Sequence, residues 1–126
     1  MDRYAVHTEA APAPVAAYSQ AVRKGPILQV AGQVGIDPAT GEVAPGGVAE
    51  QTRQVFANLR AVLQAGGAGL GDVVMMRAYL TTPDDFAEFN AVYNDVVVSP
   101  YPARTTVYVG LPAGLLVEID ALAVPG

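Results

Sequence analysis

The sequence contains no cysteine, and its one histidine, His7, lies close to the N-terminus. Without cysteine, the chain has no disulfide framework, no thiolate nucleophile and no thiolate metal site. A metal site would need carboxylates alone, and the acidic residues lack the spacing of a calcium-binding loop. We therefore expect no metal and no cofactor, and either unaided side-chain chemistry or simple ligand binding.

Positive charge is also scarce, since 7 Lys and Arg face 12 Asp and Glu and leave a net charge of −5. A chain this acidic lacks the electrostatic attraction that drives binding to a phosphate backbone. The N-terminal stretch MDRYAVHTEAAPAPVAAY is too polar and too interrupted by proline for a signal peptide or a membrane span. We expect a cytoplasmic protein with neither nucleic acid nor membrane as a partner.

Hydrophobic residues, by contrast, make up 52% of the 126-residue chain and charged residues only 15%. Soluble domains contain about 25% charged residues. The length is typical of one domain, here 1–126. Because large exposed apolar surfaces usually mark interfaces, this composition favours an oligomer.

The hydrophobic pattern predicts two helices and several short strands. The apolar spacing from Val48 to Gln64 indicates the first helix, and Thr82-Pro83 begins a second that runs to about Val97. The glycine-rich run 66–71 follows a helix and lacks the lysine of a phosphate-binding loop, so we interpret it as a helix stop. Predicted strands lie in AYSQAVRKG and PILQVAGQVGI, joined by a tight turn at Lys24-Gly25, and in DVVMMRAYLTT, ARTTVYV and LLVEIDALAV. The order indicates an α+β sheet with both helices on one face and the other face uncovered.

The stretch SPYPARTTVYV places an arginine, Arg104, inside an otherwise uncharged strand. Strand alternation puts Arg104, Thr106 and Tyr108 on one face. If the last two strands form a hairpin centred on Leu111, Arg104 lies across from Glu118. That pair could be a structural ion pair contributing about 0.2–1 kcal/mol. Alternatively, Arg104 could bind the carboxylate of a ligand while Glu118 orients or deprotonates a water.

The sequence resembles the RidA family (reactive intermediate deaminase, also called the YjgF family) from about Tyr18 to Val124. The stretches that carry the resemblance are AYSQAV, ILQVAGQVGIDPATGEV, QTRQVFANLRAVLQAGGAGLGDVV, DFAEFNAVY, YPART and VEIDALAV. The resemblance implies a chorismate mutase-like fold with a six-stranded mixed sheet and two helices on one face, assembled as a homotrimer around a barrel. It also implies cofactor-free hydrolysis of 2-imino acids, and of enamine tautomers such as 2-aminoacrylate, to 2-keto acids and ammonia, which protects pyridoxal-phosphate enzymes.

The resemblance further assigns residues to a site in clefts between subunits. Arg104 matches the family's arginine for the substrate carboxylate, and Glu118 its water-handling glutamate. Further substrate-binding positions correspond to Tyr18, to Asn90 and to Gly32, whose backbone N–H meets the substrate.

Two positions depart from the family pattern. Ala31 stands where many deaminases carry serine, and Thr106 replaces a common cysteine while keeping a hydroxyl and a backbone N–H. These departures affect the expected substrate range more than the reaction. Three alternatives stay open: a non-catalytic trimer that binds small carboxylates, a pathway-specific deaminase for a bulkier imine, and an endoribonuclease or translation inhibitor, which the charge disfavours.

Overall fold

A computed structural model describes residues 2–126 as one mixed sheet and two helices. The strands are β1 (Tyr4–Val6), β2 (Ala21–Lys24), β3 (Ile27–Val34), β4 (Val73–Leu80), β5 (Ala103–Tyr108) and β6 (Val117–Ala123), and the helices are α1 (Val48–Ala65) and α2 (Phe86–Val96). The sheet order is β1-β2-β3-β6-β4-β5. All neighbours are antiparallel except β4 and β5, which are parallel. The six-stranded α+β fold expected from the resemblance is confirmed.

Helix α1 and the first hairpin follow the sequence pattern closely. The apolar side of α1 is buried against the sheet, with Phe56, Leu59 and Leu63 at most 1% exposed. The helix ends at Gly66, where a Cβ would lie 2.7 Å from a methyl group of Leu28. The glycine-rich run is therefore a helix stop, as predicted. In the β2–β3 turn Gly25 has φ 59°, a left-handed conformation that favours glycine.

Helix α2 begins later than the sequence predicts. The Thr82 hydroxyl accepts a hydrogen bond from the Asp84 N–H at 3.2 Å, but it caps a turn of 3₁₀ helix over Pro83–Asp85. The α-helix itself starts at Phe86. The cap and the proline were correctly interpreted as a helical start, but one turn of tighter helix separates them from the α-helix.

The last two strands do not form the hairpin on which the pairing of Arg104 with Glu118 depended. Strand β5 pairs in parallel with β4, with Met76 beside Arg104, and β6 lies on the other side of β4. Helix α2 returns the chain to the starting end of β4, which makes parallel pairing the natural outcome. The loop after β5 then carries the chain past β4 to β6, between β3 and β4.

Strand β1 is an element that the sequence pattern does not reveal. It has three residues, of which Tyr4 and Ala5 are exposed, so no apolar alternation marks it. The segment that follows it is anchored by Gln20, which is only 2% exposed. The Gln20 amide donates to the carbonyls of Thr8, Ala11 and Pro12 and accepts from the Thr8 N–H at 2.7 Å.

The two faces of the sheet differ in what covers them. On the face that we call the helix face, Val30, Met76, Ile119 and Ala121 pack with the buried sides of the helices. The opposite face, which we call the open face, carries the alternate residues of each strand, such as Arg77, Glu118 and Asp120. Neither helix in the described part of the chain is both long and apolar enough to cross a bilayer.

We predict that Gln20→Ala releases the segment between β1 and β2. Loss of the side chain leaves buried carbonyl groups without donors, which costs about 1–3 kcal/mol of unfolding free energy. Hydrogen exchange of the Thr8 amide, together with urea denaturation, measures both effects. Gln64→Ala, at an exposed position of α1, is the matched control. Unchanged Thr8 protection in Gln20→Ala would contradict this account of the anchor.

Candidate active site

Arg104 lies on the helix face, where α2 holds its guanidinium group. Nη1 of Arg104 donates to Oδ1 of Asn90 at 2.9 Å. The guanidinium carbon lies 4.5 Å from the ring centroid of Tyr93, and 5.8 and 5.7 Å from those of Phe86 and Phe89. Cation–π contacts of this kind contribute about 0.5–2 kcal/mol. Arg104 is therefore held by aromatic rings and one amide, an arrangement that leaves its positive charge uncompensated.

No carboxylate among residues 2–126 lies within ion-pair distance of Arg104. The structural ion pair that the sequence left open is thus absent from this part of the chain. A guanidinium group has five N–H donors, of which Asn90 uses one. The group borders a cavity of about 280 Å³ lined by Asn90, Tyr93, Asn94, Tyr101, Pro102 and Arg104. A carboxylate entering this cavity would meet an oriented cation with free donors.

Two hydroxyl groups near Arg104 are buried without a hydrogen-bond partner within the described chain. They belong to Tyr93 and to Thr106, two residues further along β5 on the same face. Burial raises the pKa of Tyr93, although the Arg104 charge opposes this, so at neutral pH the phenol keeps its proton. Buried polar groups usually have a partner. Of the two residues, Tyr93 lines the cavity beside Arg104, whereas Thr106 does not.

Glu118 lies on the other side of the sheet, on the open face. It is half-buried and sits between Val34 of β3 and Tyr79 of β4. Burial raises the pKa of Glu118 above its ordinary value, and the negative charge of Asp120 raises it further. A carboxyl group of this kind can hold a proton closer to neutral pH than an exposed glutamate does.

Gly32 leaves the space that the Glu118 carboxyl group occupies. A Cβ on Gly32 would overlap Oε2 of Glu118 and lie 2.8 Å from its Cδ. The register of β3 and β6 shifts between Val30 and Gln33, so a bulge surrounds this point. The preceding residue, Ala31, lines a cavity of about 430 Å³ together with Tyr18, Gln29 and four other residues.

The predicted site residues therefore form two groups on opposite faces of one sheet. Arg104, Asn90 and Thr106 lie on the helix face, whereas Glu118, Gly32, Ala31 and Tyr18 lie on the open face. Arg104 does not lie across from Glu118, because the condition for that pairing, a hairpin of the last two strands, is not met. Within one chain the groups do not converge on a shared cleft.

The contacts of Phe86, Phe89 and Tyr93 with Arg104 are not apparent from the sequence. Their helical spacing, with Asn90 between them, places all four side chains toward β5. The spacing indicates such a contact only when β5 lies beside α2. A cluster of Arg77, Tyr79 and Asp120 on the open face is likewise not marked by any sequence pattern. In residues 2–126 no group of His, Asp or Glu side chains has an arrangement that could hold a metal ion.

Comparison with known proteins places this architecture in a family. The family model described as Endoribonuclease L-PSP, which covers the YjgF/RidA proteins, matches residues 8–125. The chain belongs to the RidA family. A RutC family protein of Pyrococcus horikoshii is 45% identical over 94% of each chain. The 2-iminobutanoate/2-iminopropanoate deaminase of Bos taurus is 41% identical over 98% of this chain and 91% of its own.

Solved structures of RidA relatives share the fold. RidA from Psychrobacter superposes with a TM-score of 0.92 at 42% identity, covering 96% of this chain and 98% of its own. The E. coli protein TdcF, whose structure contains bound serine, gives a TM-score of 0.91 at 33% identity over 98% of this chain and 99% of its own.

We predict that Glu118→Gln changes how stability depends on pH. Because the folded pKa of Glu118 is raised, the folded state binds this proton more tightly than the unfolded state does. The contribution is fully present below the unfolded pKa and is lost as the pH rises through the folded pKa. The unfolding free energy of the native protein minus that of Glu118→Gln should therefore fall from about pH 4 to neutral pH.

Urea denaturation across that pH range measures this difference, and Glu88→Gln, at an exposed position of α2, is the matched control. A difference that stays constant or grows with pH would show that Glu118 has no raised pKa.

Proposed function

We propose that this RidA protein hydrolyses 2-imino acids and their enamine tautomers to 2-keto acids and ammonia, with 2-iminopropanoate and 2-iminobutanoate as representative substrates. The observation that carries the proposal is the unpaired Arg104, oriented by Asn90 and Tyr93 at the edge of a cavity. Such a group selects small carboxylates. In the cell, removal of these intermediates would protect pyridoxal-phosphate enzymes.

The relatives support the same substrate class. The bovine relative carries the name of a deaminase for two small imino acids. The serine bound to TdcF has a carboxylate next to a nitrogen-bearing carbon, as a 2-imino acid does. The present chain keeps an arginine and a glutamate at the two positions that the resemblance assigns to these roles.

In the proposed reaction, Arg104 binds and orients the substrate carboxylate, with the Tyr93 ring and Asn90 fixing the guanidinium plane. Glu118 then accepts a proton from water as its oxygen attacks C2 of the C=N group. Return of that proton to nitrogen gives an aminoalcohol. Glu118 then takes the proton of the new hydroxyl group and passes it to the amino nitrogen. As the C=O double bond forms, the C–N bond breaks and ammonia leaves, which gives the 2-keto acid. Positioning and proton transfer suffice, because the imine carbon is already electrophilic.

This reaction needs Arg104 and Glu118 on the same substrate, yet one chain carries them on opposite faces. We therefore propose that a second copy completes the site, with the helix-face group of one subunit meeting the open-face group of the next. In a ring, each contact joins two different patches, whereas a two-fold dimer joins a patch to itself. A homotrimeric ring fits this requirement.

Ala31 and Thr106 leave a second substrate range open. They stand where the resemblance places a serine and a cysteine beside the substrate. The small side chain of Ala31 lines the open-face cavity together with Tyr18 and Gln29. A pathway-specific deaminase acting on a bulkier imine is therefore the second candidate. A net charge of −5 disfavours the nuclease activity that the family model's description carries.

We predict that an amino-acid oxidase coupled to the protein will show removal of imino acid before semicarbazide can trap it. Oxidation of alanine, 2-aminobutyrate, leucine and phenylalanine supplies side chains of increasing size. Arg104→Ala should lower kcat/KM roughly 10- to 100-fold, since hydrogen bonds to charged groups contribute about 1.5–3 kcal/mol. Arg60→Ala, at an exposed position of α1, is the control.

A folded protein that removes no imino acid of any size would refute the deaminase and favour a non-catalytic carboxylate-binding protein. Removal of only the larger imino acids would favour the pathway-specific candidate.

We also predict that mixing two impaired variants restores activity. In a ring refolded from equal amounts of Arg104→Ala and Glu118→Gln, about a quarter of the interfaces contain both native groups. Activity should therefore recover to about that fraction of the native value, while each variant refolded alone keeps only its low residual activity. If the mixture is no more active than its components, the shared site is wrong.

A further inference from the structure

The open face contains a charged cluster that the proposed reaction does not use directly. Nε of Arg77 donates to Oδ1 of Asp120 at 2.8 Å, and the Tyr79 hydroxyl donates to Oδ2 of Asp120, also at 2.8 Å. Asp120 is buried, with 9% of its surface exposed. Both of its carboxylate oxygens are therefore engaged, and its side chain is fixed relative to the sheet.

The strand register brings this cluster to Glu118. On β6, Glu118 and Asp120 are two residues apart on the same face. On β4, Tyr79 lies beside Glu118 and Arg77 beside Asp120. The charged or titratable groups that face Glu118 are thus Asp120 from its own strand and Tyr79 and Arg77 from β4. Strand β3, on the other side, contributes Gly32 and Val34 and contains no titratable residue.

Among these groups, Asp120 is the one whose charge acts most strongly on Glu118. The side chain of Arg77 is 53% exposed, so water screens its charge, whereas that of Asp120 is 13% exposed. The hydrogen bond to Asp120 raises the pKa of Tyr79, which keeps that hydroxyl neutral and donating. Burial raises the pKa of Glu118, and the Asp120 charge raises it further.

We propose that Asp120, fixed between Arg77 and Tyr79 and two residues from Glu118 on the same face of β6, is a positioning residue that acts on the reaction through Glu118. This inference rests on the proposed deaminase activity. In that reaction Glu118 must both take a proton from water and return it to nitrogen. A carboxyl group whose two forms are both populated nearer to neutral pH performs both transfers more effectively than an ordinary glutamate.

The test is a ¹³C NMR titration of the Glu118 carboxyl carbon in the full-length protein, with and without Asp120→Asn. This substitution keeps the side-chain shape and removes the charge, so the Glu118 titration midpoint should move to lower pH. The acidic limb of the plot of kcat/KM against pH should also move to lower pH. Asp95→Asn removes an equal charge from an exposed position on α2 and should move neither.

Arg77→Gln is a second variant, for which the expected shift of the Glu118 titration midpoint has the opposite sign. It keeps the proposal testable if Asp120→Asn fails to fold. Without the Arg77 guanidinium group, less positive charge offsets the negative charge of Asp120. Glu118 then experiences more negative charge, so its titration midpoint should move to higher pH. In the proposed ring, Arg104 of the neighbouring subunit also faces Glu118, and its charge is the same in every variant.

A midpoint that stays constant in both variants, or shifts that have the opposite signs, would overturn the role of Asp120. The titration does not depend on turnover. If the native protein removes no imino acid, the proposed function fails, while the Glu118 midpoints still decide whether Asp120 sets its protonation.

Discussion

The parallel pairing of β5 with β4 is the constraint on which the site depends. It places Arg104 beside Met76, on the face that the helices cover, where Asn90 and Tyr93 can hold the guanidinium group. Strand β6 pairs with the other edge of β4 and turns Glu118 to the opposite face. Side chains in a sheet cannot change face without a shift of register. The cation and the carboxyl group that the proposed imine hydrolysis requires are thus kept apart within each chain.

This separation has a chemical benefit. If Arg104 and Glu118 were direct neighbours, they would form an ion pair, which would occupy the arginine and lower the pKa of the glutamate. Held apart, Arg104 keeps its donors for a ligand, and Glu118 keeps the raised pKa that burial and Asp120 produce. Assembly would then bring the two together only around a substrate, whose carboxylate neutralises the arginine.

The local parts of this structure could be predicted from sequence, and the long-range parts could not. Apolar spacing located α1 to within one residue, and Lys24-Gly25 marked the first hairpin turn. The order of β4, β5 and β6 depends on which strand edges pair. The hydrophobic alternation within a strand is the same whichever strand it pairs with, so it does not reveal that order. Pairing adjacent strands was therefore the default, and it misplaced Arg104. The family resemblance identified the candidate site residues. The contacts of Arg104 with aromatic rings and the hydrogen bonds of Asp120 are visible only in the folded structure.

The most direct test of a shared site is a crystal structure of the protein with 2-oxobutanoate, the product of 2-iminobutanoate hydrolysis. We predict that its carboxylate binds the Arg104 guanidinium of one subunit and that its C2 faces Glu118 of a neighbouring subunit. A product bound away from Arg104, or enclosed by a single chain with no contribution from a second copy, would contradict the account.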